Sequence, residues 1–324
     1  MTLVRLGYVA MSSVVQHCSP SQTMSYTRFK QIHDREAALR KLERLAQSNI
    51  ENCLRLLKHN LAHDIRFFRL SSKLVPLATH EDLKGWRYIR AIQSELRELG
   101  DFARDHDMRI DFHPGQFYVL NSPKEEVLHA SLYGLQYFRK LIRAMRIQPR
   151  HSLVIHAGGV YNDKESALER FIENWAFVPF SIQKMIMLEN DDKSYTLTDI
   201  LYLCEKLEVP LVFDYHHHLA NHDEENWIKE WPRVLKTWAH SPRAVKMHIS
   251  SPKSQKAFRQ HADFVDPEMF LRFLYEINGS VPQIDCMIES KQKDNALFQL
   301  MEDLKTRPEI EMIDEASFTL RSRA

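Results

Sequence analysis

The sequence lacks the features that mark membrane, secreted and disulfide-rich proteins. No apolar run reaches the roughly 20 residues that a transmembrane helix needs, and the start of the chain lacks the basic-then-apolar order of a secretory signal. The 4 cysteines lie far apart and form no C-x-x-C pair, which argues against a zinc ribbon and a disulfide framework. We therefore expect a cytoplasmic protein with reduced, structural thiols.

A surplus of charge of one sign is also missing. The 44 Lys and Arg residues balance 43 Asp and Glu residues, giving a formal net charge of +1. This balance neither requires nor forbids a nucleic-acid partner, because an acidic metal site can offset a basic binding surface. Glycine and proline are sparse, at 8 and 13 residues, and no linker-like run divides the 324 residues. The length alone allows one large α/β domain or two smaller ones.

Eight apolar segments of strand type alternate with eight segments of helical periodicity. The predicted strands are 3–10, 65–70, 108–112, 152–156, 184–189, 211–214, 244–249 and 284–289, and the predicted helices are 36–58, 83–106, 125–146, 165–177, 197–207, 226–239, 267–277 and 294–305. Strands separated by helices imply parallel pairing, and eight such units favour a closed (β/α)8 TIM barrel with its active site at the C-terminal ends of the strands. We predict a single catalytic barrel over 1–305 and a peripheral charged tail over 306–324.

Six predicted strands end in an acid or an imidazole. These residues are His113, His156, Glu189, Asp214 (with His217 three positions later), His248 and Glu289. Each alone is explained as a helix cap or a core residue, but six on one barrel face are not. Converging carboxylates repel one another unless cations neutralise them, so the pattern predicts several divalent metal ions. Oxygen and imidazole ligands suit manganese, iron (Fe2+) or zinc (Zn2+), and we favour Mn2+.

Two neighbouring features give further expectations. Side chains alternate along a strand, so at most two of His216, His217 and His218 face inward and at least one is expected to be exposed. Lys246 lies two residues before His248 and is expected on the same side of its strand, facing the metals. One hypothesis is a neutral or carbamylated Lys246 that supports the metals.

Eight motifs occur in the order of a known family. They are Leu6-Gly-Tyr8, Arg69-Leu-Ser-Ser72, His113-Pro-Gly-Gln116, His156-Ala-Gly-Gly159, Leu188-Glu-Asn-Asp-Asp192, Phe213-Asp-Tyr-His-His217, Lys246-Met-His248 and His261-Ala-Asp263. Over nearly its whole length the chain resembles the ultraviolet damage endonucleases, relatives of the endonuclease IV barrels. The resemblance implies a DNA repair endonuclease that uses up to three metals. Such an enzyme hydrolyses the phosphodiester immediately 5′ to a photolesion and leaves 3′-hydroxyl and 5′-phosphate ends.

The resemblance also implies roles for individual residues. Glu189 would bridge two metals, sharing one with His113 and His156 and the other with Asp214, His248 and Glu289. His217 and His261 would hold a third metal. Glu189, Lys246, His248 and Glu289 form the expected catalytic set. The alternative for Lys246 is a lysine turned toward the DNA backbone.

Residues outside the cluster are expected to bind the substrate. Gln116 and Phe117 follow His113 and would wedge into opened DNA, and Tyr8 would line the lesion pocket. The alternative for Phe117 and Tyr8 is hydrophobic packing that anchors loops. Phosphates would contact mouth residues, namely Ser71, Ser72, Lys73, Lys253, Lys256 and Arg259. The basic residues Arg139, Lys140, Arg143 and Arg146 are interpreted as a solvated face of a barrel helix.

The expected partner is double-stranded DNA that contains photolesions, bound by a monomer near the nucleoid, with no membrane and no identifiable protein partner. Three other functions fit the residue pattern. An abasic-site endonuclease would use the same chemistry on another lesion. A metal-dependent sugar isomerase or epimerase would use the same barrel with a small closed pocket. A protein without turnover would bind damaged DNA or store metal.

Overall fold

Eight parallel strands form the centre of the protein. The structure is a computed structural model that describes residues 1–223 and 226–321. The barrel strands are β1 Leu3–Val9, β2 Phe67–Leu70, β3 Arg109–Phe112, β4 Leu153–His156, β5 Ile186–Glu189, β6 Leu211–Asp214, β7 Val245–Ile249 and β8 Gln283–Ile288. Each strand pairs with the next in sequence, and β1 pairs in parallel with both β2 and β8. The sheet is therefore closed, and the predicted (β/α)8 TIM barrel is confirmed.

Closure of the barrel depends on a close approach between β1 and β2. Gly7 is paired with Phe67, and a Cβ atom at Gly7 would lie 2.2 Å from the Phe67 carbonyl oxygen. Real Cβ atoms do not come so near to backbone, so only glycine fits at this position. Tyr8, the next residue, is consequently held against β2, with its ring 4.9 Å from that of Phe68.

Helices cover the outside of the barrel. They are α1 Tyr26–Lys30, α2 Arg35–Ala62, α3 Tyr88–Ala91, α4 Gln93–Asp105, α5 Glu125–Met145, α6 Lys164–Trp175, α7 Phe180–Gln183, α8 Leu197–Leu207, α9 Tyr215–Ala220, α10 Trp231–Thr237, α11 Pro267–Ile277 and α12 Lys293–Lys305. Short 3-10 turns lie at Glu81–Leu83, Trp227–Lys229 and Gln255–Ala257. Among the described residues, no helix is long and apolar enough to cross a membrane.

Two predicted helices are interrupted. The segment predicted as one helix over 83–106 consists of the end of a 3-10 turn, α3 and α4. The segment predicted over 226–239 begins with a 3-10 turn, and α10 starts at Trp231 with Pro232 in its first turn. Proline is suited to that position because the first amides of a helix have no intrahelical partner.

The C-terminal segment is more ordered than the sequence suggested. Residues Ile310–Met312 (β9) and Ser317–Leu320 (β10) form an antiparallel hairpin, and β10 pairs antiparallel with the start of β1. Phe318 and Leu320 are buried in the main core. The expectation of a peripheral tail over 306–324 is therefore wrong for this hairpin, while its last three positions, 322–324, lie outside the described residues.

Charged pairs lie inside the barrel beneath the C-terminal ends of the strands. Asp285 accepts hydrogen bonds from Arg5 at 2.8 Å and from Arg109 at 2.7 Å. Lys246 Nζ lies 2.7 Å from Asp111 Oδ2, and both side chains are fully buried. Buried charges of this kind are tolerated only when they are paired and hydrogen-bonded. These ion pairs form a polar floor for the groups at the strand ends.

Candidate metal centre

Glu189, the last residue of β5, is the centre of the group at the strand ends. Its Oε2 atom lies 2.8 Å from His113 Nε2, and its Oε1 atom lies 2.7 Å from His248 Nδ1. His156 Nε2 and His217 Nδ1 lie 3.7 Å and 3.5 Å from the same carboxylate. Because the strands are parallel and adjacent, their C-terminal residues converge on this one completely buried carboxylate.

Three overlapping groups have the spacing of metal ligands. In each group the candidate ligand atoms all lie within 4.8 Å of one another. The groups are His113, Glu189 and His248; Glu189, Asp214 and His217; and Asp214, His248 and Glu289. Six of the eight predicted metal ligands are thus brought together, with Glu189, Asp214 and His248 each shared by two groups.

The hydrogen bonds of three histidines leave one ring nitrogen available for a metal. His113 Nδ1 faces the Pro114 carbonyl at 2.9 Å, His217 Nδ1 faces the Asn190 carbonyl at 2.9 Å, and His261 Nδ1 faces the Glu289 carbonyl at 2.6 Å. A carbonyl only accepts, so each Nδ1 carries the proton and each neutral ring keeps a lone pair on Nε2. Histidine ligands are characteristically oriented by a hydrogen bond of this kind from the other ring nitrogen.

The carboxylates have perturbed pKa values. Burial raises the pKa of Asp214 to about 6, and its Oδ2 atom has no hydrogen-bond partner among the described residues. Burial would also raise the pKa of Glu189, but the imidazoles of His248 and His156 hold it well below its usual value. Burial opposes a charge on His217, yet Asp214 and Glu189 raise its pKa to about 9. The site therefore stabilises positive charge, as a metal centre must.

Arg69 contributes a buried cation to this centre. Its Nη1 atom lies 2.5 Å from Glu289 Oε1, and its Nη2 atom lies 2.6 Å from His248 Nε2. Since a guanidinium only donates, Nε2 accepts and the proton of neutral His248 lies on Nδ1, facing Glu189. Burial, together with Arg69, lowers the pKa of His248 to about 3. A metal could bind His248 through Nδ1 only after that nitrogen lost its proton. It could bind through Nε2 only after the hydrogen bond from Arg69 was broken.

His156 and His261 lie at the border of the three groups. The ring of His156 lies 5.0 Å from that of His113 and 5.9 Å from that of His217, and its buried Nδ1 atom has no hydrogen-bond partner among the described residues. The ring of His261 lies 6.2 Å from that of His217. Both rings line the mouth above Glu189, where their positions suit further ligands.

The three consecutive histidines do not behave as alternating strand residues. His216, His217 and His218 are all buried, so the expectation that at least one is exposed is wrong. The strand ends at Asp214, whose side chain caps α9 by accepting from the His217 amide at 2.7 Å. His216 uses both ring nitrogens, toward Ser250 Oγ and the Phe258 carbonyl, which makes it a structural residue and not a ligand.

Lys246 is completely buried below the metal ligands. Its ammonium is paired with Asp111, so the alternative of a lysine turned toward the DNA backbone is wrong. Burial lowers the pKa of Lys246 to about 8, although Asp111 opposes this shift. A neutral or carbamylated Lys246 stays a prediction.

An open mouth of about 450 Å³ lies above the ligands. It is lined by Gln116, His156, His217, His261 and Glu289, among others. Phe117, beside Gln116, is 90% exposed, the largest exposure among the large hydrophobic residues of the described chain. Its ring is therefore free of the packing that the alternative of a loop anchor would require.

The other expected DNA contacts fall into two classes. Lys73 and Lys253 are exposed and Ser72 is partly exposed, as a phosphate contact requires. Ser71 is buried, and its Oγ atom is 2.7 Å from Ser21 Oγ. Tyr8 is fully buried, and its hydroxyl donates to Asn60 Oδ1 at 2.7 Å. In this structure neither residue lines the mouth, which corrects the expectation of direct contact.

The sequence interpretation did not give roles to several residues of the centre. Arg69 and Asp111 were missed as buried partners of Glu289 and Lys246, although Arg69 belongs to one of the family motifs. Asn190 was also missed. Its side chain bonds both backbone groups of Asp214, and its carbonyl orients His217. An asparagine directly after Glu189 was the available signal.

Comparisons with known proteins identify the family. The family model described as UV-endonuclease UvdE matches residues 4–319. The chain belongs to the UvdE family. A UV DNA damage endonuclease of Halalkalibacterium halodurans is 51% identical over 97% of this chain and 98% of its own length, and one of Bacillus cereus is 41% identical over 97% and 98%.

A solved structure supports the same family. The crystal structure of SacUVDE superposes with a TM-score of 0.80 and 31% identity, covering 93% of this chain and 98% of that one. Membership of the UvdE family supports a UV-damage repair endonuclease, hence a nuclease that acts on DNA. The His, Glu and Asp groups at the strand ends lie where a TIM-barrel enzyme carries its active site.

Proposed function

We propose that the protein hydrolyses the phosphodiester immediately 5′ to an ultraviolet photolesion in double-stranded DNA, leaving 3′-hydroxyl and 5′-phosphate ends. One observation carries the proposal beyond family membership. Three imidazoles whose Nδ1 atoms are bound to backbone carbonyls surround two buried carboxylates, Glu189 and Asp214, and the partly buried Glu289, below a mouth with an exposed Gln-Phe pair. The imidazoles and carboxylates are suited to bind several cations, and the open mouth above them is suited to a polymeric substrate.

The donor set fits up to three divalent metals. His113, His156 and Glu189 would hold one, and Glu189, Asp214, His248 and Glu289 a second, with His217 and His261 holding a third. Such cations supply Lewis-acid activation of water and of the scissile phosphate when they are bound. The donors are oxygen and imidazole, and all four cysteines are buried and free, so the set suits manganese, which we favour. Zinc and iron are the competing ions.

The chain's own residues position this chemistry. Glu189, central and fully buried, would keep the cations at fixed separation, since each of its oxygens faces a different histidine. Asn190 holds Asp214 and orients His217, so the ligands are pre-organised by hydrogen bonds outside the cluster. Lys246 and Asp111 form a buried ion pair beneath the metal ligands.

Recognition of the lesion is assigned to Gln116 and Phe117. A photolesion weakens base stacking, so an exposed ring that fills the opened step gains more from damaged DNA than from intact duplex. Ser72, Lys73 and Lys253 are suited to hold the flanking phosphates, which would set the register of the scissile bond. A sugar isomerase would have no use for an aromatic ring projecting from an open mouth.

The position of the nick tests the proposal. Ultraviolet-irradiated, abasic and undamaged DNA of one sequence would be incubated with the protein and Mn2+, with and without chelator, and the ends mapped at nucleotide resolution. We expect a metal-dependent nick directly 5′ to the dimer, with ends that a polymerase can extend. Cutting of the abasic DNA alone would establish the abasic-site alternative. Tight lesion binding without a nick would establish a binding protein.

A further inference from the structure

A second concave surface lies on the outer wall of the barrel, away from the metal ligands. It has a volume of about 950 Å³ and is formed by the 3-10 turn region, α3, α4 and α5. Arg87, Arg90 and Arg97 lie on one side of this surface, which we call the basic groove. Lys140, Arg143 and Arg146 lie on the other side, and Lys84 lies at one end.

The charge of the basic groove is one-sided. Seven of its 13 lining residues are Arg or Lys, and none is Asp or Glu. The whole chain is nearly neutral, with a formal net charge of +1, so this surface is an unusual local concentration of positive charge. Like charges that face one another across a concavity raise the free energy of the protein unless anions neutralise them.

The acids of the neighbouring helix do not supply that neutralisation. On α4, Glu95 accepts from Gln47 and Asp101 is paired with Arg104, and none of the four acids of this helix, Glu95, Glu98, Asp101 and Asp105, lines the groove. Lys84, at the end of the groove, is paired with Glu81 at 3.9 Å. In the part of the chain that the structure describes, Arg90, Arg97 and Arg143 form no ion pair. A helix face that is only solvated ordinarily carries acids among its basic residues, three or four positions apart. The sequence-based interpretation of Lys140, Arg143 and Arg146 as such a face is therefore incomplete.

The guanidinium groups indicate the chemistry of the ligand. Five of the groove's exposed cations, Arg87, Arg90, Arg97, Arg143 and Arg146, are arginines, whose planar fork matches the oxygens of a phosphate. One aromatic ring lies beneath a cation of the groove: Tyr88 is buried in the groove floor, with Lys140 Nζ 5.9 Å from its ring centre.

We propose that the basic groove is a second DNA-binding surface that holds the phosphate backbone of duplex DNA outside the catalytic mouth. The choice of DNA among polyanions rests on the DNA-directed activity of the UvdE family. Cations on two facing walls suit a backbone that lies between them, since duplex DNA carries about one negative charge per 1.7 Å of axis. The bound DNA is either an arm of the duplex that occupies the mouth or a separate duplex. Such contacts are independent of sequence and of damage, and would keep the protein on DNA while lesions are sought.

A triple variant, Arg90→Gln, Arg97→Gln and Arg143→Gln, tests the proposal. Its matched control is Arg44→Gln, Lys58→Gln and Lys236→Gln, which removes the same charge from exposed positions on α2 and α10. Binding to undamaged duplexes would be measured with chelator present, over a range of salt concentrations. Two lengths, about one and about four helical turns of roughly 10.5 base pairs, separate the two sources of DNA.

The groove variant should bind the longer duplex at least tenfold more weakly than wild type at low salt, because each lost phosphate contact reduces the slope of log affinity against log salt by about 0.9. A loss confined to the longer duplex identifies an arm of the bound duplex, and an equal loss at both lengths identifies a separate duplex. An unchanged slope, or the same loss in the control, would overturn the proposal.

Two further measurements separate this result from other failures. Melting temperatures of both variants should equal that of wild type, because the substituted side chains are exposed. Nicking of a short lesion duplex at saturating protein should be unchanged in the groove variant, since none of the three residues lines the mouth. Wild-type protein that fails to nick would refute the proposed function and leave the groove measurement valid, because binding is measured on undamaged DNA.

Discussion

His113 Nε2 lies 2.8 Å from Glu189 Oε2, although Nδ1 of the same ring faces the Pro114 carbonyl at 2.9 Å. A neutral imidazole has one proton, so it satisfies only one of these two acceptors. The contact is stable only if His113 is doubly protonated or a cation lies between the ring and the carboxylate. The second arrangement is that of a metal ligand with its tautomer fixed by a backbone carbonyl.

Glu189→Gln should therefore remove metal as well as activity. The amide keeps the shape of the side chain but loses the negative charge that a bound cation requires. We expect at least one fewer equivalent of Mn2+ by elemental analysis after dialysis, and nicking reduced by about a thousandfold or more, which corresponds to roughly 4 kcal/mol. Glu36→Gln, at the exposed start of α2, is the control. Full metal content in the Glu189→Gln variant would remove Glu189 from the cluster.

Phe117→Ala should impair recognition of damage without affecting stability. The ring is 90% exposed, so its removal leaves no cavity. Loss of one stacking contact should weaken binding to lesion DNA by about 1–3 kcal/mol, with little change for undamaged duplex. Titrations of damaged and undamaged DNA with the protein, in the presence of chelator, give the two affinities.

Two exposed phenylalanines provide matched controls for that experiment. Phe177 and Phe180, exposed by 66% and 68%, do not line the mouth, and their replacement by Ala should leave both affinities unchanged. Gln116→Ala combined with Phe117→Ala should weaken binding to lesion DNA further, again with little change for undamaged duplex. Equal losses on damaged and undamaged duplex would contradict the wedge.

Lys246→Met should destabilise the barrel because it leaves Asp111 charged and unpaired in the interior. Breaking a buried ion pair from one side costs about 3–5 kcal/mol, and both side chains are fully buried. The double variant with Asp111→Asn should be less destabilised than the sum of the single variants. Urea denaturation of the four proteins measures this coupling, and additive losses would show that the pair does not interact.

The carbamylation hypothesis for Lys246 requires a separate measurement. Its pKa, lowered to about 8 by burial, gives the neutral amine that reacts with CO2 a larger share at neutral pH than an exposed lysine has. On this hypothesis the intact protein, analysed without acid, is heavier than the sequence mass by one CO2 and Lys246→Arg lacks the increment, whereas an ammonium paired with Asp111 gives the sequence mass. An unmodified mass in active protein would leave the lysine as an ion-pair partner of Asp111.

Much of the fold and the centre was predictable because it depends on short-range pattern. Alternating apolar segments and amphipathic helices predict parallel strands, and parallel strands place their final residues together, which is why His113, Glu189 and Glu289 converge. The pairing of Lys246 with Asp111, 135 residues apart, has no local pattern. The hairpin at 310–320 was missed because its strands have only three and four residues.

Burial was the least predictable property of the candidate site residues. Tyr8 and Ser71 lie near strand ends, but hydrogen bonds to Asn60 and Ser21 turn them inward. Such bonds join distant parts of the chain, and periodicity contains no information about them. Phe117 shows the opposite case, because nothing in its loop sequence distinguishes an exposed ring from an anchor.

The final prediction concerns pH and a histidine remote from the metals. His151, before β4, is 6% exposed, and its Nδ1 atom lies 2.7 Å from Ser241 Oγ. Burial, together with Arg150, Arg109 and Arg243, lowers its pKa to about 4. The unfolded chain takes up the proton near the ordinary value of about 6.5. The contribution of neutral His151 to the free energy of unfolding is therefore fully present above pH 6.5 and is lost as the pH falls toward 4.

At pH 5 this histidine should cost the folded protein about 2 kcal/mol relative to pH 7. His151→Asn is a suitable variant because the residue has φ of +54°, a left-handed conformation that Asn tolerates. Urea denaturation with chelator would measure the free energy of unfolding at both pH values. Its decrease from pH 7 to pH 5 should be smaller by that amount in the variant than in wild type. The comparison between the two proteins cancels the titration of the metal ligands, which both retain. An identical pH dependence in the two proteins would mean that His151 titrates normally in the folded state.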